Sequence, residues 1–178
     1  MNLDEIVATG QLYKQGTTHK NWQLRKFILS GIYLIYFDKS GEKKGQWDIT
    51  GCTVKKVSPE ECNMPSAAYA FALTAPKRYH LMCASSEKNR HAWMTVIDEQ
   101  IDAYKEDIRR FLRSGENILG NAIVKKKTMF GSSNVRLLLT NFPRIQIIDP
   151  STLVLKEQLS WVKDEPPSFT RVSECMVD

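Results

Sequence analysis

The spacing of apolar residues changes twice along the chain, and each change predicts a new kind of element. Up to about residue 84, apolar positions alternate in short runs separated by glycine, proline and charged breaks. About seven strands are predicted there: Gly10–Lys14, Trp22–Leu29, Ile32–Phe37, Gln46–Thr50, Cys52–Val57, Tyr69–Thr74 and Tyr79–Ala84. Gln15 to Asn21 is a polar loop carrying Gly16, and Ser30-Gly31 is a tight turn. Asp38 to Gly45 is a charged loop, Ser58 to Pro65 a second loop, and Ala75-Pro76 ends a hairpin.

The period then becomes helical. Trp93, Val96, Ile97, Ile101, Tyr104, Ile108, Phe111 and Leu112 recur at steps of three and four. Either Ser85 or Ser86 can cap the start, Glu87 suits the dipole there, and Ser114-Gly115 supplies a stop. A continuous helix would run to Arg113, about 28 residues and roughly 42 Å. Two shorter helices bent near Glu99 to Asp102 fit the same period. After Gly115 the strand pattern returns. Ile118–Lys127, Val135–Thr140, Arg144–Ile148 and Leu153–Trp161 are predicted strands, with turns at Phe142-Pro143 and Asp149-Pro150-Ser151. A short fifth strand, Phe169–Ser173, follows the Pro166-Pro167 break.

The first hairpin concentrates the chemistry. Gly10 to Leu29 reads GQLYKQGTTHKNWQLRKFIL. Alternation puts Gln23, Arg25 and Phe27 on one face of the second strand and Trp22, Leu24 and Lys26 on the other. Pairing brings Lys14 near Arg25, so two cations converge at the loop mouth. An arginine fork grips phosphate bidentately, and a lysine adds a mobile point charge. A solvated charged hairpin satisfies the same spacing. Trp22 and Trp93 read as core residues.

Composition narrows the classes. The 178 residues are 42% hydrophobic and 25% charged, which excludes collagen-like, low-complexity and largely disordered chains. The +5 net charge, from 25 basic and 20 acidic residues, fits an anionic partner but not indiscriminate coating of nucleic acid, so no nucleic-acid partner is expected. Cys52, Cys62, Cys83 and Cys175 lack C-x-x-C spacing and His19, His80 and His91 are scattered, so no metal site is expected. No apolar run approaches the roughly 20 residues of a membrane span. The acidic start lacks a signal-peptide pattern, Asn2 stands where myristoylation needs glycine, and the end lacks a prenylation motif. A cytoplasmic chain with peripheral, reversible membrane contact is expected. Neither a Ser-His-Asp order nor a phosphate loop occurs, and Glu60-Glu61 reads as a solvated loop pair. The expectation is no enzyme and no cofactor.

Gly10-x-Leu12-x-Lys14-x-Gly16, followed by Lys20-x-Trp22-x-x-Arg25-x-Phe27-x-Leu29, resembles the first two strands of the pleckstrin homology (PH) family. The resemblance continues through Tyr36-Phe37 and Lys44-Gly45 to the helix holding Trp93, and covers about residues 8–101. It implies a mainly β fold, a seven-stranded barrel-like sandwich capped by the helix, with a headgroup site at the open end. By that resemblance Lys14 and Arg25 hold the 3-phosphate, and Tyr36 donates its hydroxyl near the 4-phosphate with Lys44 beside it. Lys20 and His19 reach the 5-phosphate or the bilayer. The sequence departs at Gln23, where strong binders carry a cation, which implies weaker or less selective binding.

Residues 117–173 resemble a shortened PH domain of the type at the C-terminus of 3-phosphoinositide-dependent protein kinase. The match runs through Ile123–Lys127, Arg136–Thr140, Pro143-Arg144, Ile148–Pro150 and Leu155–Trp161. Ser133-Asn134-Val135 replaces that family's arginine run, and Lys125 to Lys127 read as a solvated strand end. Seventeen residues remain after Trp161. So short a sheet buries little core and leaves an edge exposed. The expected division is a PH domain at 1–101, a helical linker at 102–116 and a partial PH-like module at 117–178. The function expected is non-catalytic binding of phosphoinositide headgroups that recruits the chain to membranes. The alternative is a protein-interaction scaffold with a vestigial pocket, its partner held by the second module.

Overall fold

A computed structural model describes residues 5–16, 19–62, 68–75, 78–129 and 131–161. The chain falls into two compact units, Met1–Arg110 and Phe111–Asp178. The first holds strands β1 (Ile6–Gln15), β2 (Trp22–Ser30), β3 (Tyr33–Phe37), β4 (Lys43–Asp48), β5 (Thr53–Lys56), β6 (Ala70–Ala75) and β7 (Arg78–Cys83), then helix α1 (Glu87–Arg109). They form one seven-stranded sheet in the order β4-β3-β2-β1-β7-β6-β5, every neighbouring pair antiparallel. This is the mainly β, helix-following architecture expected from the sequence.

Alternation explains which face is buried. Leu12, Phe27, Leu29, Leu34 and Trp47 fall on one face, while β6 is buried at four successive positions, Ala70 to Leu73. Each such large side chain contributes roughly 1.5–3 kcal/mol by leaving water. Trp93 and Ile97 of α1 are buried too. Trp93 comes so close to β1 that a Cβ at Gly10 would lie 3.2 Å from the indole ring. Ser86 caps the helix, its side chain accepting from the Asn89 amide.

Several boundaries differ from expectation, and β1 begins at Ile6 where the alternation placed Gly10. The strand β4 begins at Lys43, inside the segment expected to be a charged loop. Tyr36 pairs with Gly45 and Phe37 with Lys43, so Lys44 is the extra residue of a bulge. Helix α1 runs unbroken through residues 99–102 but stops at Arg109, short of Arg113. The following backbone is captured elsewhere: the Phe111 carbonyl accepts from Gln146 and Arg144 at 2.6 and 3.0 Å. The Arg113 amide donates to the Glu116 carboxylate at 2.8 Å. Gly115 takes a positive φ of 77°, as glycine does readily, in the turn after these contacts.

The second unit is a four-stranded antiparallel meander of β8 (Ile118–Thr128), β9 (Gly131–Thr140), β10 (Arg144–Ile148) and β11 (Leu155–Ser160), ordered β11-β10-β9-β8. Although β8 and β11 are opposite edges, Lys126 is ion-paired with Glu157, so the sheet curls toward that face. Val135, Leu138, Ile145, Ile147, Ile148 and Leu153 are buried. So is an ion pair in which Arg144 grips both oxygens of Glu116. The fifth strand expected at Phe169–Ser173 lies outside the described residues. Among the described residues, no helix is long and apolar enough to cross a membrane.

Candidate functional site

The register of three strands builds the site. On one face Leu12 lies opposite Arg25 and Lys14 opposite Gln23, which makes Lys14 and Arg25 diagonal neighbours at the end of the β1–β2 hairpin. The next pairings add Phe27 opposite Tyr36, Tyr36 opposite Gly45 and Leu34 opposite Trp47. Lys14, Arg25, Tyr36 and Trp47 therefore share one face.

Beneath the cations lies an aromatic floor. The ring centroids of Tyr36 and Trp47 are 5.1 Å apart, and those of Phe27 lie 5.7 and 5.8 Å from the two. Trp47 is stacked on His80 at 3.9 Å. The Lys14 ammonium sits 5.1 Å from the Tyr36 ring centroid and 5.6 Å from that of Trp47. Gly45 makes room for the phenol, since a Cβ there would meet the Tyr36 hydroxyl at 2.5 Å.

Electrostatics mark the same place. Burial first, and the nearby Arg25 charge second, push the Lys14 ammonium below its ordinary pKa. Burial raises that of the Tyr36 phenol, with Arg25 opposing. A lysine held over two rings, with an arginine as its diagonal neighbour and a phenol beside it, forms an arrangement that an anion relieves. Gln23, expected to be a lost charge, accepts a hydrogen bond from Arg25 and so orients the guanidinium. Beside Arg25 a cleft of about 660 Å³ opens, lined by Tyr13, Trp22, Gln23, Leu24, Arg25, Asp38, Lys39 and Ser40.

The other expected residues stand apart. The Lys44 ammonium is 2.7 Å from Glu42 and 3.4 Å from Asp38, and these carboxylates hold its pKa up. Asp38 organises the β3–β4 turn, accepting from Ser40 and from the Glu42 amide. Its own pKa is held down to about 2, first by the Ser40 hydroxyl. His19 and Lys20 are exposed in the β1–β2 connection, Lys20 with φ 54°. Among the described residues no contact joins them to Lys14 or Arg25. Trp22 is partly buried against Val57, Cys62, Ala70, Ala72, Leu81 and Cys83, and also lines the cleft. Trp47, His80 and the space at Gly45 were missed from sequence. Their signal was the alternation on β4 that sets Trp47 across from Leu34.

The seven-stranded sheet with its following helix and the cation pair at the end of the β1–β2 hairpin define a class. The PH domain family model matches residues 6–102, more than half of the chain, and a second PH domain model matches residues 106–171. The chain belongs to the PH domain family. The second match shows a PH domain without singling out the kinase type. Pleckstrin from Rattus norvegicus is 34% identical over 98 residues, covering 52% of this chain and 28% of its own length. Src kinase-associated phosphoprotein 2 from Danio rerio is 24% identical over 185 residues, 97% of this chain and 50% of that protein. The solved C-terminal PH domain of human pleckstrin superposes with a TM-score of 0.51 at 28% identity, covering 56% of this chain and 90% of that one. The chain thus spans half or less of the length of these curated relatives.

Proposed function

We propose that the first unit is a non-catalytic phosphoinositide-headgroup module that brings the chain to the cytoplasmic face of membranes. One observation carries this: the Lys14 ammonium stands over the Tyr36 and Trp47 rings with Arg25 as its diagonal neighbour on the same face, where burial first and the Arg25 charge second lower the lysine's pKa. Like charges are not gathered on a half-buried floor without a cost, and a phosphate between them removes it. Arg25 and Lys14 grip one phosphate, the Tyr36 hydroxyl donates to the next, and Lys44 joins by exchanging its carboxylates for phosphate. Lys20 and His19 meet the bilayer around the site. Diffuse charge alone, at roughly 1 kcal/mol per cation, falls short of the roughly 8 kcal/mol of a micromolar complex, so the pocket must supply the rest.

Titration with soluble inositol phosphates, followed by tryptophan fluorescence, tests the pocket without a membrane. Saturable binding with a change at Trp47, abolished by Trp47→Phe, is expected. Absence of saturable binding to any isomer removes the reading. A protein-interaction scaffold is the second reading, favoured by β11, an edge strand exposed at all six positions and able to accept an extended peptide.

A further inference from the structure

We propose that Ser40 is a phosphorylation site, and that the phosphate it receives enters the cleft beside Arg25 as an internal competitor for membrane phosphoinositide. The effect on membranes rests on the headgroup reading of the first unit; the placement of the phosphate does not. Ser40 stands at the tip of the β3–β4 turn, in Asp38-Lys39-Ser40-Gly41-Glu42-Lys43-Lys44. Residues 39–44 are all exposed. Two backbone bonds close the turn, from the Asp38 amide to the Glu42 carbonyl at 2.9 Å and from the Gly41 amide to the Asp38 carbonyl at 3.1 Å. Neither uses the Ser40 hydroxyl, which donates to Asp38 Oδ1 at 2.6 Å. A kinase can therefore take hold of this turn without opening the sheet. Ser58 offers no such access, since Val57 before it is buried.

Lysines at 39, 43 and 44 suit a serine kinase with an acidic substrate groove. In the transfer, the Ser40 hydroxyl oxygen bonds to the γ-phosphorus of ATP, the bond to ADP breaks, and the hydroxyl proton passes to the kinase's base. The ester carries a charge of about −1.5 to −2. Its surroundings decide where that charge goes. Asp38, held at about 2 first by the Ser40 hydroxyl, loses that bond, but even its ordinary 3.8 leaves it ionised at neutral pH. The carboxylate therefore repels the ester. Arg25, Lys39 and Ser40 line one cleft, so the phosphate turns from Asp38 toward the guanidinium, which grips it bidentately. Lys44, 3.4 Å from Asp38, follows it. A phosphate tethered there neutralises the cations that a headgroup needs.

The test uses the full chain, unmodified and with phosphoserine incorporated at position 40, and vesicles of phosphatidylcholine with phosphatidylinositol trisphosphate. Phosphorylation should weaken sedimentation about tenfold to thirtyfold, from the charge added beside the site. The turn keeps its backbone bonds, so melting curves of the two chains should match. Phosphorus NMR reads the placement without lipid. The second pKa of the phosphoserine, ordinarily about 6, should fall, and Arg25→Ala should return it toward that value. Treatment of wild type with ATP and lysine-directed serine kinases should place a phosphate on Ser40, mapped by mass spectrometry, and weaken binding. The same treatment of Ser40→Ala should leave its binding as it was before. A phosphorylated chain that sediments like the unmodified one overturns the proposal, as does a phosphorus titration indifferent to Arg25→Ala or a Ser40 that no such kinase modifies. An unmodified chain that ignores the vesicles removes the headgroup reading instead, and the phosphorus titration still decides where the phosphate lies.

Discussion

Glu116→Gln tests the energetics of the second unit most sharply. The Arg144–Glu116 pair has side chains 7% and 0% exposed. Arg144 Nε donates to Glu116 at 2.7 Å and Arg144 Nη1 to Gln158 at 2.6 Å. The carboxylate also accepts from the Thr140 hydroxyl at 2.6 Å and from the Arg113 amide at 2.8 Å. A glutamine keeps the shape but leaves the guanidinium buried without its counter-charge and turns an N–H₂ toward one of its donors. Breaking one side of a buried pair costs about 3–5 kcal/mol, a large share of the roughly 5–15 kcal/mol that holds a domain. Glu116→Leu with Arg144→Met removes both charges and should cost less than the two single changes together, because neither leaves an orphan ion. Hydrogen exchange of the β8–β11 amides reads the loss locally.

Acid provides a second readout of the same pair. The Arg144 guanidinium first, with the Thr140 hydroxyl, holds the Glu116 carboxyl at about 2 against an ordinary 4.5. Because the folded pKa is depressed, this stability is fully present above pH 4.5 and disappears as pH falls toward 2. Asp149, held down first by Lys156, acts in the same direction. Wild type should lose protection through that range, and Glu116→Gln should lose correspondingly less. A loss under about 1 kcal/mol in the single variant, or an additive double variant, would mean that Arg144 and Glu116 are not coupled as a buried pair.

Two further outcomes concern the site. Gly45→Ala places a Cβ 2.6 Å from Tyr36 Cζ and must drive the ring from under Lys14. It should lower stability by about 1–2 kcal/mol, from lost aromatic and cation–π contacts, and weaken phosphoinositide binding with it; an unchanged melt and unchanged vesicle binding would show that the ring is not held there. Glu42→Gln removes the nearer of the two carboxylates that hold Lys44 and leaves Asp38 beside it, a change in an exposed pair that is worth little to folding. Sedimentation with phosphoinositide vesicles should therefore rise about fivefold for one anionic charge removed, and Lys44→Gln should lower it; an unchanged value in both variants would exclude Lys44 from the site.

The convergence of Lys14 and Arg25 was legible because both sit on strands of strict alternation joined by a short loop. Such a hairpin leaves the register little freedom. Tyr36 followed by the same logic, one strand over. The floor under them was not legible, because the Trp47–His80 stack joins β4 to β7, strands far apart in sequence and order. The start of β4 was hidden for a different reason. It is an edge strand, and Lys43-Lys44 can face water there while the backbone pairs, so polarity suggested a loop. The periodicity through Leu112 overstated the helix, because hydrophobic spacing does not register the capture of Phe111 and Arg113 by Arg144, Gln146 and Glu116. Gln23 looked like a missing charge, and only side-chain geometry shows it orienting Arg25.

The most direct measurement of the central claim is sedimentation with vesicles carrying each phosphoinositide in turn, wild type beside Arg25→Ala, at two salt concentrations. Isomer-selective binding by wild type, lost in the variant and only partly reduced by salt, is expected. Binding that ignores the isomer and fades equally with salt in both proteins would contradict it, leaving diffuse attraction where a headgroup pocket is claimed.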